Sequence, residues 1–332
     1  MFEPFLVALS LWTTPVSPAA PSTSLHIEAP VGLDTWQSPD AWSIPVYSAE
    51  TRDPLQPVLY NEGAWWKVAS GRWKRFGNSP MVEAEIRQSS ADHFPFPGNV
   101  FSSTSTSEWK LPAQFNKLVN PATGPARFHL RSDMLPAIGP DGHMAVRQPD
   151  GTVLETYATI VLSSGEVVAL SYGLSHLASA GDGAENGQTA SMIPCYLGVT
   201  DDREIGSGTI NHAMAITAPA SYLAPRIAYP AYAFDRNALT EAHAYAGSLP
   251  MGAHLALSPN IDIASLNLAT AEGRAIAQAA QTFGFIIVDR GGEGFTIRIR
   301  HNSDQPLAAI RSWSSPLQAD LNTIFAHLVL LN

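Results

Sequence analysis

Two short stretches, Asp141-Gly142-His143 and Glu155-Thr156-Tyr157, carry two carboxylates, an imidazole and a phenol on either side of a turn sequence. On adjacent strands such groups can do acid–base chemistry, because a sheet holds them rigidly a few ångströms apart. Register decides whether they meet. If the residue numbers of opposed partners sum to 298 or 300, His143 and Glu155 share a face; if they sum to 299, they point to opposite faces. Pro149 and Asp150-Gly151 permit more than one turn, so both registers stay open. Ordinary hairpin polarity, with Asp141 in a turn and Glu155 solvated, accounts for the same residues without chemistry.

Other candidates are scattered. His212 lies in Thr209-Ile210-Asn211-His212-Ala213-Met214-Ala215-Ile216, where alternation puts it on the face of Ile210, Met214 and Ile216. It reads either as a hydrogen-bonded core histidine or as an imidazole at the floor of a cleft. Asp289 ends the run Phe285-Ile286-Ile287-Val288 before a glycine-rich turn, which it can cap or beside which it can face a groove. Glu204, in Asp201-Asp202-Arg203-Glu204, is most simply a solvated loop residue, and His254 can line core or cleft. His143, His212 and His254 lack the spacing of a metal site, and no HExxH, P-loop, GxGxxG or EF-hand pattern occurs, so neither metal nor cofactor is expected. Trp36, Trp42, Trp65, Trp66, Trp73 and Trp109 crowd the turn-rich first third, interleaved with Lys67, Arg72, Lys74 and Arg75. Tryptophans of this kind stack on sugar faces, and the basic residues suit an anionic sugar such as a uronate; a core or a surface hairpin uses the same residues.

The elements that must position these groups are mostly strands. Short strand signals occur at Val46, at Val58 to Tyr60 and at Phe128 to Leu130. A hairpin is expected from Met144–Val146 and Thr152–Leu162, and Val167–Tyr172 forms another strand. One helix is expected, N-capped by Thr270, running from Ala271 to Phe283 with Ile276, Ala279, Ala280 and Phe283 as its apolar stripe and Gly284 as its left-handed terminus. Strand Phe285–Asp289 follows, and Arg290-Gly291-Gly292-Glu293-Gly294 turns it into Phe295–Arg300. One helix among many short strands predicts an all-β fold: a β-sandwich of jelly-roll type with one packed α-helix.

Composition agrees. The 332 residues are 14% charged, below the roughly 25% of ordinary soluble domains, and are rich in the turn and strand formers Gly, Pro, Ser and Thr. A net charge of -10 argues against general nucleic-acid binding. Cys195, the single cysteine, closes no internal disulfide. Residues 1–25 read as a signal-like or frayed segment, with Phe5–Trp12 apolar and Pro15–Ser24 rich in Pro, Ala and Ser, although Glu3 sits where a signal would carry positive charge. That points to a secreted or periplasmic protein. Residues 26–332 read as one elaborated domain, and the apolar run Ile324–Leu331 is too short to cross a bilayer, so no membrane insertion is expected.

Asp141-x-His143, Glu155-x-Tyr157, Glu204 to Ala213 with its Gly-x-Ile-x-His-Ala ending, Pro250-Met251-Gly252-Ala253, and Ala279 to Asp289 with Gly284-x-x-x-x-Asp289 occur in that order. Together they resemble a large family of secreted, β-rich bacterial proteins over roughly Pro140–Gly292. The first third and the residues after Arg300 depart from it. The resemblance implies a fold and secretion, attaches no activity, and implies that Asp141, His143, Glu155, His212 and Asp289 converge.

These readings lead to a carbohydrate-active enzyme, an endo-acting glycoside hydrolase cleaving an extracellular or envelope polysaccharide. Two of Asp141, Glu155 and Asp289 would be acid and nucleophile or base, tuned by His143 and His212, with Tyr157, Glu204, Trp65, Trp66 and His254 holding substrate. The alternatives are a polysaccharide lyase, in which His143, His212 or Tyr157 takes the C5 proton of a uronate, and a non-catalytic carbohydrate-binding module.

Overall fold

The computed structural model describes residues 10–35, 44–60, 65–67, 73–75, 80–81, 119–120, 124–125, 127–137, 142–157, 159–161, 167–169, 171–176, 187–239, 244–300 and 316–332. The chain is rich in β-strands, arranged in mixed sheets with few helices. It falls into two compact units: Trp36–Ser179 with Glu185–Gln188, and Met1–Thr35 with Ala180–Ala184 and Thr189–Asn332.

The first unit holds two four-stranded sheets. One orders Ser171–His176, Thr152–Tyr157, Met144–Arg147 and Val46–Ser48; the other orders Arg127–His129, Leu55–Tyr60, Val167–Ala169 and Ile160–Val161. Met144, Val146, Leu154 and Tyr172 from one sheet share a single apolar cluster with Val58, Phe128, Val167 and Ala169 from the other. Met144, Val146 and Leu154 lie on one face of the hairpin, and Ala145 and Glu155 on the opposite one, as the period of two requires. Gly151, with φ +88, completes the turn between them.

The second unit is built on an eight-stranded sheet in the order Ser22–Ser24, Leu328–Leu331, His254–Leu257, Phe285–Arg290, Met214–Ala218, Phe295–Arg300 and Thr200–Asp201, with Val31–Thr35 also pairing Phe295–Arg300. Three of its pairs are parallel: Met214–Ala218 with Phe285–Arg290, and both Val31–Thr35 and Thr200–Asp201 with Phe295–Arg300. Phe285–Arg290 and Phe295–Arg300 do not form the hairpin that their short connection suggests. Met214–Ala218 lies between them, and the Gly291–Gly294 connection bridges its end. A Cβ at Gly291 would come within 2.5 Å of Thr217 Oγ1, so the crossing needs a residue without one.

Helix Ala271–Thr282 forms where the sequence places it. Thr270 Oγ1 accepts from the Gly273 amide, and Gly284 adopts φ +82 just past the end. Its inner face is mostly alanine (Ala275, Ala277, Ala279, Ala280), with Ile276 the one large apolar side chain; burying that chain contributes roughly 1.5–3 kcal/mol. A second helix, Pro316–Ala326, buries Leu317, Leu321, Ile324 and Phe325 at helical spacing. It also delivers Asp320, 4% exposed, which accepts from the Ala269 and Thr270 amides at 2.8 Å and from Thr270 Oγ1 at 2.6 Å. One carboxylate thereby ties the two helices together and supports the cap. Asp320→Ala is expected to cost roughly 1–3 kcal/mol, the penalty for stranding buried donors. The urea midpoint should fall with an unchanged slope; an unchanged midpoint would show that the bonds are replaced by solvent.

The N-terminal residues join this unit. The Trp12 ring is 1% exposed, its carbonyl accepts from the Ala213 amide at 2.7 Å, and Ser22–Ser24 pairs with Leu328–Leu331.

Candidate functional site

The hairpin register is the one that brings the groups together. Met144 opposes Thr156, Ala145 opposes Glu155 and Arg147 opposes Val153, so partners sum to 300. His143 and Tyr157 therefore flank the end of the ladder on one face, with their ring centroids 5.3 Å apart and tilted by 50°. Glu155 lies on the same face, two residues before Tyr157 and so about 7 Å along the strand. Its other cross-strand neighbour is Gly173. Glu155 Oε2 accepts from the Gln188 amide at 3.1 Å. His143 and Glu155 are 2% and 1% exposed, whereas Tyr157 is half-buried, so the phenol is the member of the trio nearest solvent. Arg147 shares this face further along the strand. Asp141 lies outside the described residues.

Asp289 belongs to the other unit, and a bulge aims it. Ile216 opposes Ile287, but Thr217 opposes Asp289, so Val288 is the extra residue and Asp289 turns onto the face of Thr217, Thr296 and Arg298. There Arg298 Nη2 donates to Asp289 Oδ2 at 2.8 Å, while Oδ1 accepts from the Arg290 amide at 2.9 Å and the Ala190 amide at 3.2 Å. A guanidinium and two backbone amides therefore hold this carboxylate in one orientation on that face. Arg298 is wholly buried and was not among the sequence candidates. The signal that finds it is a cation alternating with Phe295, Ile297 and Ile299 in a buried strand, which demands a partner.

Glu204 and His212 pair within the same unit as Asp289. Asp202–Ser207 is a short helix, not a loop, and Glu204 is its third residue. Its Oε2 accepts from the Asp201 amide at 2.9 Å, which closes a capping box. The same oxygen lies 3.3 Å from His212 Nε2, and His212 Nδ1 donates to the Ala213 carbonyl at 2.8 Å. The strand predicted over Thr209–Ile216 begins only at Met214. Residues 209–213 bond elsewhere, with the Thr209 amide reaching the Glu204 carbonyl and the Ala213 amide reaching Trp12. His254 Nε2 donates to the Phe283 carbonyl at 2.7 Å and packs where Gly284 leaves no Cβ.

Two of these groups make stability depend on pH. Burial holds the His254 imidazole below its ordinary value of 6.5. For Glu204, burial pushes upward, but the His212 bond and charge and the Asp201 amide outweigh it and leave the carboxyl below 4.5. A lowered folded value means that the unfolded chain binds the proton first. The His254 contribution is therefore complete above about pH 6.5 and lost as pH falls toward its folded value, and that of Glu204 is lost only below about pH 4.5. In urea titrations across pH, His254→Leu should flatten the limb just below pH 6.5 and Glu204→Gln only the more acid one. Coincident effects would sink the assignment.

Trp65 and Trp66 stand on strand Trp65–Lys67, which pairs with Trp73–Arg75; their side chains, like the whole of Trp36, Trp42 and Trp109, lie outside the described residues. Among the described residues no group of three or more His, Cys, Asp or Glu is placed to hold a metal ion, and no helix is long and apolar enough to cross a membrane. Comparison with models of protein families, with curated proteins and with solved structures gives no match.

Proposed function

We propose that the protein is a carbohydrate-active enzyme that cleaves a uronate-containing polysaccharide by β-elimination at the His143, Glu155 and Tyr157 face. The observation that carries this reading is the shared face, with the His143 and Tyr157 rings 5.3 Å apart over a sheet and a carboxylate beside them. In this reaction a base takes the proton at C5 of the uronate, the electron pair becomes the C4–C5 double bond, and the C4–O bond breaks. The departing oxygen then receives a proton. In this mechanism half-buried Tyr157 reaches substrate, His143 exchanges a proton with it, and Glu155 lends negative charge on the same face. Arg147 supplies positive charge further along the same face for a uronate carboxylate.

A glycoside hydrolase remains the second reading, favoured by the strand-end carboxylate of Asp289, which Arg298 and two backbone amides hold in place. Digests of uronate-containing and neutral polysaccharides separate the two. The lyase gives new reducing ends together with ultraviolet absorbance from the unsaturated sugar. The hydrolase gives reducing ends alone. Retention on a polymer without any cleavage would instead identify a binding module.

A further inference from the structure

His143 follows Gly142, which adopts φ +50 and sets no direction of its own, since glycine reaches either sign of φ with similar ease. The bonds that aim the imidazole at Tyr157 must therefore come from the backbone on either side. Before the histidine, the Gly142 carbonyl accepts from the Thr159 amide at 3.1 Å. The His143 carbonyl itself accepts from the Ala137 amide at 2.8 Å. After it, the Met144 carbonyl accepts from Thr156 Oγ1 at 3.4 Å, and Thr159 Oγ1 donates to that same Thr156 oxygen at 2.7 Å.

One residue thus acts on both neighbours of His143: Thr159 holds Gly142 through its amide and Met144 through its hydroxyl and Thr156. It also stands just beyond Tyr157 in the chain, so the same anchor fixes the strand end that carries the phenol. Thr156 and Thr159 are both buried, and Thr156 belongs to the face opposite Glu155 and Tyr157. A buried hydroxyl chain is costly to leave unmade and so holds one geometry. We propose that Thr159 is a positioning residue, whose hydroxyl sets the angle and separation of the His143 and Tyr157 rings. The proposal deepens the β-elimination reading and rests on it for the effect on turnover.

Proton NMR of the full chain reads this geometry without substrate. The Tyr157 ring, 5.3 Å from the imidazole, displaces the His143 ring-proton resonances. His143→Gln assigns those resonances, and Tyr157→Leu gives their position without the neighbouring ring. Thr159→Val keeps shape and amide and removes only the hydroxyl. It should move the His143 resonances toward their Tyr157→Leu position, whereas Thr159→Ser, which retains the hydroxyl, should leave them as in wild type. In digests of a polyuronate, Thr159→Val should lower kcat by up to about 10²-fold, the cost of a misplacement of about 1 Å. KM should not change, and Thr159→Ser should restore turnover. His143 resonances unmoved in Thr159→Val would overturn the proposal. So would a loss of activity that follows the urea midpoint and that Thr159→Ser does not restore. Absence of unsaturated product from the wild-type chain would remove the β-elimination reading alone, and the resonances would still decide whether Thr159 sets the ring pair.

Discussion

Tyr157→Phe is expected to reduce cleavage of a uronate-containing polymer by about 10²–10⁴-fold, the usual contribution of a positioned proton-transfer group. The substitution keeps the ring against His143 and removes only the phenolic oxygen. Because Tyr157 is half-buried at the strand end, the thermal midpoint should stay within a degree or so of wild type. Affinity for the polymer should change no more than a few-fold, so the loss should appear in kcat and not in KM. An equal loss of activity with a large fall in stability would assign Tyr157 to structure. Near-normal turnover by the variant would remove the phenol from the mechanism and leave His143 as the candidate base.

The second large effect is an asymmetry in the buried ion pair. Asp289→Asn leaves the guanidinium of Arg298, 1% exposed, with no anion among its described bonding partners, which should cost about 3–5 kcal/mol. Arg298→Met leaves Asp289 with a side chain 12% exposed that still accepts from two backbone amides. That residual carboxylate keeps most of its hydrogen bonds, so the cost should be nearer 1–3 kcal/mol. Urea unfolding of both variants should give a clearly lower midpoint for Asp289→Asn. Equal losses would show that the guanidinium finds another partner when Asp289 is neutralised.

Much of the local structure is legible in the sequence. Thr270, the alanine-rich stripe and Gly284 specify helix Ala271–Thr282 by capping and periodicity alone. The strands Phe285–Arg290 and Phe295–Arg300 follow from unbroken apolar runs and alternation. Pairing is another matter. Gly291–Gly294 looks like a hairpin connection, but strand Met214–Ala218 lies between its two strands, because non-local partners are not written in local turn chemistry. The parallel pairs of the large sheet have no local signature either. The apolar run Ile324–Leu331 splits into the end of a helix and the strand Leu328–Leu331, which a run of that length cannot announce by periodicity.

The candidate site shows the same division. Its members were legible by residue type, and the turn left the register of the hairpin open until the observed sum of 300 set it. Asp289 was legible as a strand-end carboxylate, but its direction depends on the bulge at Val288, and its partner Arg298 becomes visible only when strands far apart in sequence are brought onto one face. Glu204 shows a capping pattern that is local and readable, with Asp201 three residues before it.

The most direct test of the central claim is the stoichiometry of the products. In one digest of a uronate-containing polysaccharide, unsaturated ends are counted by ultraviolet absorbance and reducing ends by chemistry. β-Elimination at the His143, Glu155 and Tyr157 face predicts one double bond for every new reducing end, and loss of both together in Tyr157→Phe. Reducing ends formed without double bonds, at a rate that Tyr157→Phe leaves unchanged, would contradict it.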